Sequence, residues 1–261
     1  MMREAELFQD ENKKNEAVEM QSRELEAING CDASILVSEQ EFEAVKDELP
    51  PEKLHILPLI LDVPGTDKQF HERKDIVFVG GFQHSPNVDA VKYFVSEIMP
   101  LVRQELPEAR FHVVGSKPTE EILALATDDV IVTGFVENLT PLLDKMRVSV
   151  APLRYGAGIK GKIGTAMAAG LPVVATSLAV EGMLLNDNET VLVADEAEDF
   201  VNALVRVYKN KRFWNQLSQN GLEFAKQNWG GESLWNQLSK IINSLQITTD
   251  KTKYPLSLYK N

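Results

Sequence analysis

From residue 75 onward, short apolar runs alternate with longer stretches of helical periodicity. The runs are "DIVFVGG" (75–81), "RFHVVGS" (110–116), "DVIVTGF" (129–135), "RVSVAPL" (147–153), "LPVVATS" (171–177) and "TVLVADE" (190–196), bounded by Gly, Pro or Asp. Continuous β-branched runs, rather than strict apolar/polar alternation, predict strands buried on both faces. The helical stretches between them predict the crossovers of a parallel sheet. Between the first two runs, "SPNVDAVKYFVSEIMPLVRQELP" predicts one helix. Ser85 is its N-cap, Pro86 its first residue, and Val88, Val91, Phe94, Val95, Ile98 and Val102 share one face. Beyond Ala194 the pattern predicts only helices, near 196–208, 211–227 and 231–245, with Trp214, Trp229 and Trp235 as packing residues. Residues 246–261 read as a loosely ordered tail. The fold class is α/β, a Rossmann-like parallel sheet with helices on both faces, over residues 75–245.

The first part of the chain has another texture. Residues 3–28, "REAELFQDENKKNEAVEMQSRELEAI", contain no Gly or Pro and predict a long helix. Its apolar positions, Leu7, Phe8, Ala17, Val18, Met20, Leu25 and Ile28, form a thin stripe. A helix this polar needs a partner surface, supplied by a protein partner or by a second copy of the chain. A short strand near 34–37, a helix begun by Ser38 or Glu39, a stop at Pro50-Pro51 and a strand near 54–57 complete a small unit, residues 1–62. The polar "DVPGTDKQFHERK", with Pro64-Gly65, marks residues 63–74 as a linker, and His55 and His71 read as surface or loop histidines.

Composition narrows the class. The net charge of −12 opposes non-specific binding to nucleic acid, and residues 1–50 hold most of it, with 5 Lys+Arg against 14 Asp+Glu. One cysteine, Cys31, and the absence of a signal-like or membrane-spanning apolar run point to a cytoplasmic protein. Any membrane contact would be peripheral, at the inner face.

Candidate chemistry lies where the strands end. Ligands of open parallel sheets sit beyond the carboxyl ends of the strands, where helix N-termini favour phosphate. Glycine or helix-start residues follow four runs: Gly80-Gly81, Gly115-Ser116, Gly134-Phe135 and Gly156 to Gly161. The last loop, "RYGAGIKGKIG", adds Arg154, Lys160 and Lys162, a local positive focus suited to a diphosphate, although exposed turns also carry solvated lysines. Its G-x-G-x-x-G spacing imitates a dinucleotide turn. However, three strands precede it, and Glu181, at the right distance for a ribose acid, lies past the next strand rather than at its tip.

The order "IVFVGGF…PNVDAVKYF…FHVVG…VIVTGFVENLTPLL…VSVAPLRYGAGIKGKIGTAMAAGLPVVAT…EGM…VLVADEAEDFVNAL" resembles the C-terminal, donor-binding domain of retaining GT-B glycosyltransferases of the family 4 type (glycosyl transferases group 1). Residues 23–62 resemble the closing elements of the same enzymes' N-terminal, acceptor-side domain, so the resemblance implies one GT-B half preceded by a remnant of the other. It implies sugar transfer, with retention and without a metal or other cofactor, from a nucleoside diphosphate sugar to an unknown acceptor, in polysaccharide or glycan assembly. By position, Gly80, Gly81, Arg154, Gly158, Ile159, Lys160, Lys162 and Thr165 would hold the sugar diphosphate. Gly134, Phe135 and Val136 would border the base. His84 would meet the sugar or be an ordinary loop histidine; Glu181 would meet sugar hydroxyls or cap the following turn. Ala157 and Thr165 stand where such enzymes carry a glutamate pair, and no catalytic residue is assigned. An active transferase and a catalytically silent nucleotide-sugar-binding subunit acting with a partner both fit.

Overall fold

The computed structural model describes residues 11–245. The helix start with Leu7 and Phe8, and the tail 246–261, lie outside the described residues. All six expected strands form one parallel sheet: β3 (Ile76–Val79), β4 (Phe111–Val114), β5 (Val130–Gly134), β6 (Val148–Ala151), β7 (Val173–Ala175) and β8 (Leu192–Val193). Their spatial order is β5-β4-β3-β6-β7-β8, so the chain runs outward from β3, crosses back to β6 and runs outward again. The adjacent strands β3 and β6 (Ile76 opposite Val148, Val77 opposite Ser149) therefore flank the topological switch point.

The sheet is covered on both faces, which is why its strands read as unbroken apolar runs. Ile76, Val77, Phe78, Phe111, Val148 and Val174 have no accessible surface. The helix after β3, α1 (Ser85–Tyr93), packs its stripe there, and Phe94 stacks at 4.1 Å between ring centroids on Phe111 and meets Phe200 edge-on at 6.4 Å. Two details depart from the sequence reading. The N-cap is His84, with no side-chain bond, and Ser85 is the first helical residue. The expected continuous helix widens into a π-turn over Phe94–Ile98 before resuming as α2 (Met99–Glu105). Pro100 lacks the N–H that would bond Ser96, and widening relieves the ring's clash with the preceding turn. Val95 is consequently only half-buried, while Met99 joins the core.

The stretch 63–74 is not a free tether. Arg73, without accessible surface, donates from Nη1 to the carbonyls of Leu143 (2.9 Å) and Met146 (3.3 Å). Its Nη2 donates to Thr66 Oγ1 (2.6 Å), Asp144 Oδ1 (3.2 Å) and the Ala169 carbonyl (3.2 Å). These bonds fasten the segment beneath the sheet.

Residues 11–62 form a small unit. A helix, Glu11–Asn29, precedes two parallel three-residue strands, β1 (Ser34–Leu36) and β2 (Leu54–Ile56), around Leu36, Leu49 and Leu54. A second helix, Glu39–Val45, is capped by Ser38, whose hydroxyl accepts from the Glu41 N–H. His55 belongs to β2 and is half-buried rather than on a loop. On the long helix Leu25 and Ile28 pack inward, whereas Val18 and Met20 stay exposed. The C-terminal helices are Ala197–Lys209, Lys211–Trp229 and Gly231–Ser244. Trp214 and Trp229 are buried, but Trp235 is 69% exposed and so is not a packing residue.

Candidate functional site

The loops after β3 and β6 enclose a cleft of ≈ 680 Å³ at the switch point. One wall is Gly80, Gly81, His84 and Asn87; the other is Tyr155, Gly156, Ile159, Lys160, Lys162 and Thr165. Two glycines make this architecture possible. A Cβ on Gly115 would stand 1.8 Å from the Gly80 carbonyl oxygen, so the loops after β3 and β4 touch backbone to backbone. Gly156, at φ 122°, carries the opposite wall to within contact of Pro86.

Two helices point their N-termini into the cleft: α1 and the helix after β6, Gly161–Ala168. Neither has a side-chain cap. By contrast, Thr119 and Thr176 accept from the first turns of the helices after β4 and β7. In α1 Pro86 has no N–H and the Asn87 N–H bonds the His84 carbonyl, so that helix contributes mainly the positive end of its dipole. The helix Gly161–Ala168 turns its N-terminus to the same cleft and adds its own dipole, which favours an anion there.

The lysines complete the electropositive floor. Lys162 donates to Asn87 Oδ1, and its Nζ lies 4.5 Å from the centroid of the Phe78 ring. The Lys162–Asn87 bond ties the two walls together, and Asn87 Nδ2 donates in turn to the Gly81 carbonyl of its own wall at 2.7 Å. Burial, and secondarily the charge of Lys160, pull the Lys162 ammonium down to about 7. Lys160 Nζ donates to the Gly158 carbonyl at 2.5 Å. Thr165 lines the cleft, but its hydroxyl donates to the Gly161 carbonyl one turn back (3.0 Å).

Several expected residues fall elsewhere. Arg154 grips Asp89 of α1 with both Nε (2.9 Å) and Nη2 and lies over the Tyr93 ring, so it braces the loop from outside rather than facing a diphosphate. Gly158 is exposed on the loop's outer turn and does not line the cleft. Glu181 does not line the cleft; it accepts from Gln40 Nε2 of the small unit. Gly134 ends β5, two strands from the cleft, and Phe135 and Val136 follow it, with Phe135 71% exposed. The Gly134 carbonyl accepts from the Gly115 N–H, which links that platform to the cleft through the β4 loop. Sequence reasoning missed Asn87. Its only signal was a polar residue in the first turn of an otherwise apolar helix face.

Among the described residues no cluster of three or more His, Cys, Asp or Glu side chains is arranged to hold a metal ion, and no helix is long and apolar enough to cross a membrane.

Comparison with known proteins agrees with this geometry. An uncharacterized 44.6 kDa protein in the cps region of Klebsiella pneumoniae is 23% identical over 175 residues, covering 64% of this chain and 45% of that protein. A TarM mutant from S. aureus, solved with fondaparinux, alpha-GlcNAc-glycerol and UDP, superposes with a TM-score of 0.72 at 16% identity, covering 85% of this chain and 46% of TarM. Anabaena HepE, solved with UDP and glucose, gives 0.68 at 13% identity over 82% of this chain and 63% of HepE. The chain thus spans about half the length of the first two. The family model described as glycosyl transferases group 1 matches residues 73–210. The chain belongs to the glycosyl transferases group 1 family, and its six-stranded unit is one half of a GT-B glycosyltransferase fold.

Proposed function

We propose that the cleft binds a nucleoside diphosphate sugar and that the protein takes part in transferring the sugar, with retention at the anomeric carbon and without a metal, during polysaccharide assembly. The observation that carries this reading is the convergence of Lys160, Lys162 and the positive dipole ends of two helices on one cleft at the sheet's switch point. Departure of the sugar leaves negative charge on the diphosphate. Cations and N–H groups already fixed in place stabilise it without reorganising. The base would extend toward Gly134–Val136 across the β4 loop, and His84 would approach the sugar from the opposite wall. HepE with UDP and glucose, TarM with UDP and the cps-region relative support the substrate class and setting.

A second reading is favoured by Ala157 and Thr165. Where the family resemblance leads one to expect carboxylates, one side chain is a methyl and the other is bonded to its own helix. On that reading this chain binds the donor in the cytoplasm, while a partner docked on the long N-terminal helix supplies the acceptor side.

Titration with UDP, GDP, ADP and their sugars tests donor binding, and donor hydrolysis with and without glycan acceptors separates the two readings. One nucleotide should bind, and Lys160→Ala with Lys162→Ala should weaken it at least about tenfold, the loss expected of charge-assisted bonds. Absence of binding at millimolar nucleotide, or full binding in the double variant, would overturn the assignment.

A further inference from the structure

A part-buried ammonium ordinarily has a carboxylate beside it, because an unpaired and partly desolvated charge is costly, and Lys162 is half-buried at the floor of the cleft. Lys162 has no such partner in its cleft. The titratable side chains lining that space are His84, Tyr155, Lys160 and Lys162, none of them negative near neutral pH. Of the carboxylates on neighbouring elements, Asp89 of α1 is bonded to Arg154 and Asp195 to the Ser177 N–H and hydroxyl, and Glu181, which accepts from Gln40, does not line the cleft. What faces Lys162 is the Phe78 ring, the Asn87 amide oxygen and the like charge of Lys160. Ala157 and Thr165 line the same cleft, so the two positions that could have provided a counter-charge do not.

We propose that anion capture in this cleft is proton-linked: at mildly alkaline pH Lys162 stands as a neutral amine donating to Asn87, and it takes up one proton as a diphosphate enters. The proton comes from water or buffer, and no other bond is made or broken. The inference rests on the donor-site reading above and adds to it that the incoming anion supplies the counter-charge the cleft lacks. The downward shift of Lys162 to about 7 supports the geometry. A phosphate oxygen within reach restores the ammonium toward its ordinary range, so protonation and binding favour each other.

Titration calorimetry at pH 8.0, in buffers of different ionisation enthalpy, reads the uptake directly with whichever of UDP, GDP and ADP binds. For a group titrating near 7, about 0.9 proton should be taken up per nucleotide, and affinity should fall about eightfold between pH 7.5 and 8.5. Lys162→Arg, permanently charged, should bind without uptake and without that pH dependence, circular dichroism confirming its fold. Thr165→Glu, three residues along the same helix, should abolish the uptake by furnishing a carboxylate. In His84→Asn the uptake should persist. Uptake near zero in the parent protein overturns the inference while leaving nucleotide binding intact, and so does uptake that survives Lys162→Arg. If none of the three nucleotides binds, the donor-site reading fails and this inference falls with it.

Discussion

Arg73 and Arg154 show how far apart two arginines of similar sequence setting can end. Arg73 sits in a polar, linker-like stretch yet has no accessible surface. It satisfies three backbone carbonyls, Thr66 and Asp144, and its guanidinium lies 5.6 Å from the Trp214 ring centroid. Arg73→Met would strand those acceptors and should cost roughly 3 kcal/mol in urea unfolding; a loss under about 1 kcal/mol would mean water replaces the guanidinium. Arg154 flanks the glycine loop but is turned to Asp89, and composition gives no hint of that choice because the partner lies 65 residues away. Lys162 allows a signed test. Its folded-state pKa is lowered, so between about 7 and the ordinary lysine value the unfolded chain binds the extra proton, and the group's contribution to stability rises with pH across that window. The stability difference between Lys162→Met and the parent, measured by urea unfolding, should therefore favour the variant most below pH 7 and shrink toward pH 10. A pH-independent difference would show that the amine is solvated.

At the scale of elements, periodicity identified all six strands of the main sheet because the inner ones, β3, β4, β6 and β7, are buried on both faces and the edge strands β5 and β8 are still short apolar runs between turn residues. It could not show the π-turn at Phe94–Ile98, since the apolar spacing before Pro100 suits a regular helix equally well, nor the docking of 63–74, which depends on one guanidinium. The glycine loop's place at the carboxyl end of the sheet was legible from the strand that precedes it, and it forms one wall of the cleft. Its coupling to Asn87 was not legible, because an asparagine in a first turn ordinarily reads as a local cap. Gly164 illustrates a packing constraint between elements. A Cβ there would come within 2.5 Å of Leu61 Cδ1 and 2.9 Å of Leu59 Cδ2, where the chain leaving β2 crosses the helix Gly161–Ala168. Leu61 is held there by its N–H to the Trp229 carbonyl at 2.9 Å. Gly164→Ala should destabilise by about 1–2 kcal/mol, the cost of modest overpacking, and Gly164→Leu by clearly more. Equal melting temperatures for all three proteins would show that the crossing segment moves aside freely.

For the whole molecule, the decisive contrast is between two sheets of unequal strength that meet near the cleft. The six-stranded unit has a large continuous core; the two-stranded parallel unit rests on Leu36, Leu49 and Leu54 and should open locally far more often. Their junction is specific. Ser38 packs on Gly182, which has φ +75° and no room for a larger residue, Gly182 in turn adjoins Ile159 of the cleft wall, and Gln40 bonds Glu181. Any ligand that orders Ile159 and its loop therefore stiffens the surface on which the second helix of the small unit begins. Hydrogen exchange with and without bound nucleotide should show slower exchange at 80–87 and 156–165, and also at 38–42, while the long helix Glu11–Asn29 stays unchanged. Gly182→Ala, strained at that φ and pressed against Ser38, should remove the effect at 38–42 yet leave protection of the two cleft loops. Protection confined to the loops in the parent protein would show that the small unit does not sense the cleft. Protection extending along the long helix would show instead that the two units respond as one body, with the Glu181–Gly182 turn only one of several contacts carrying the response.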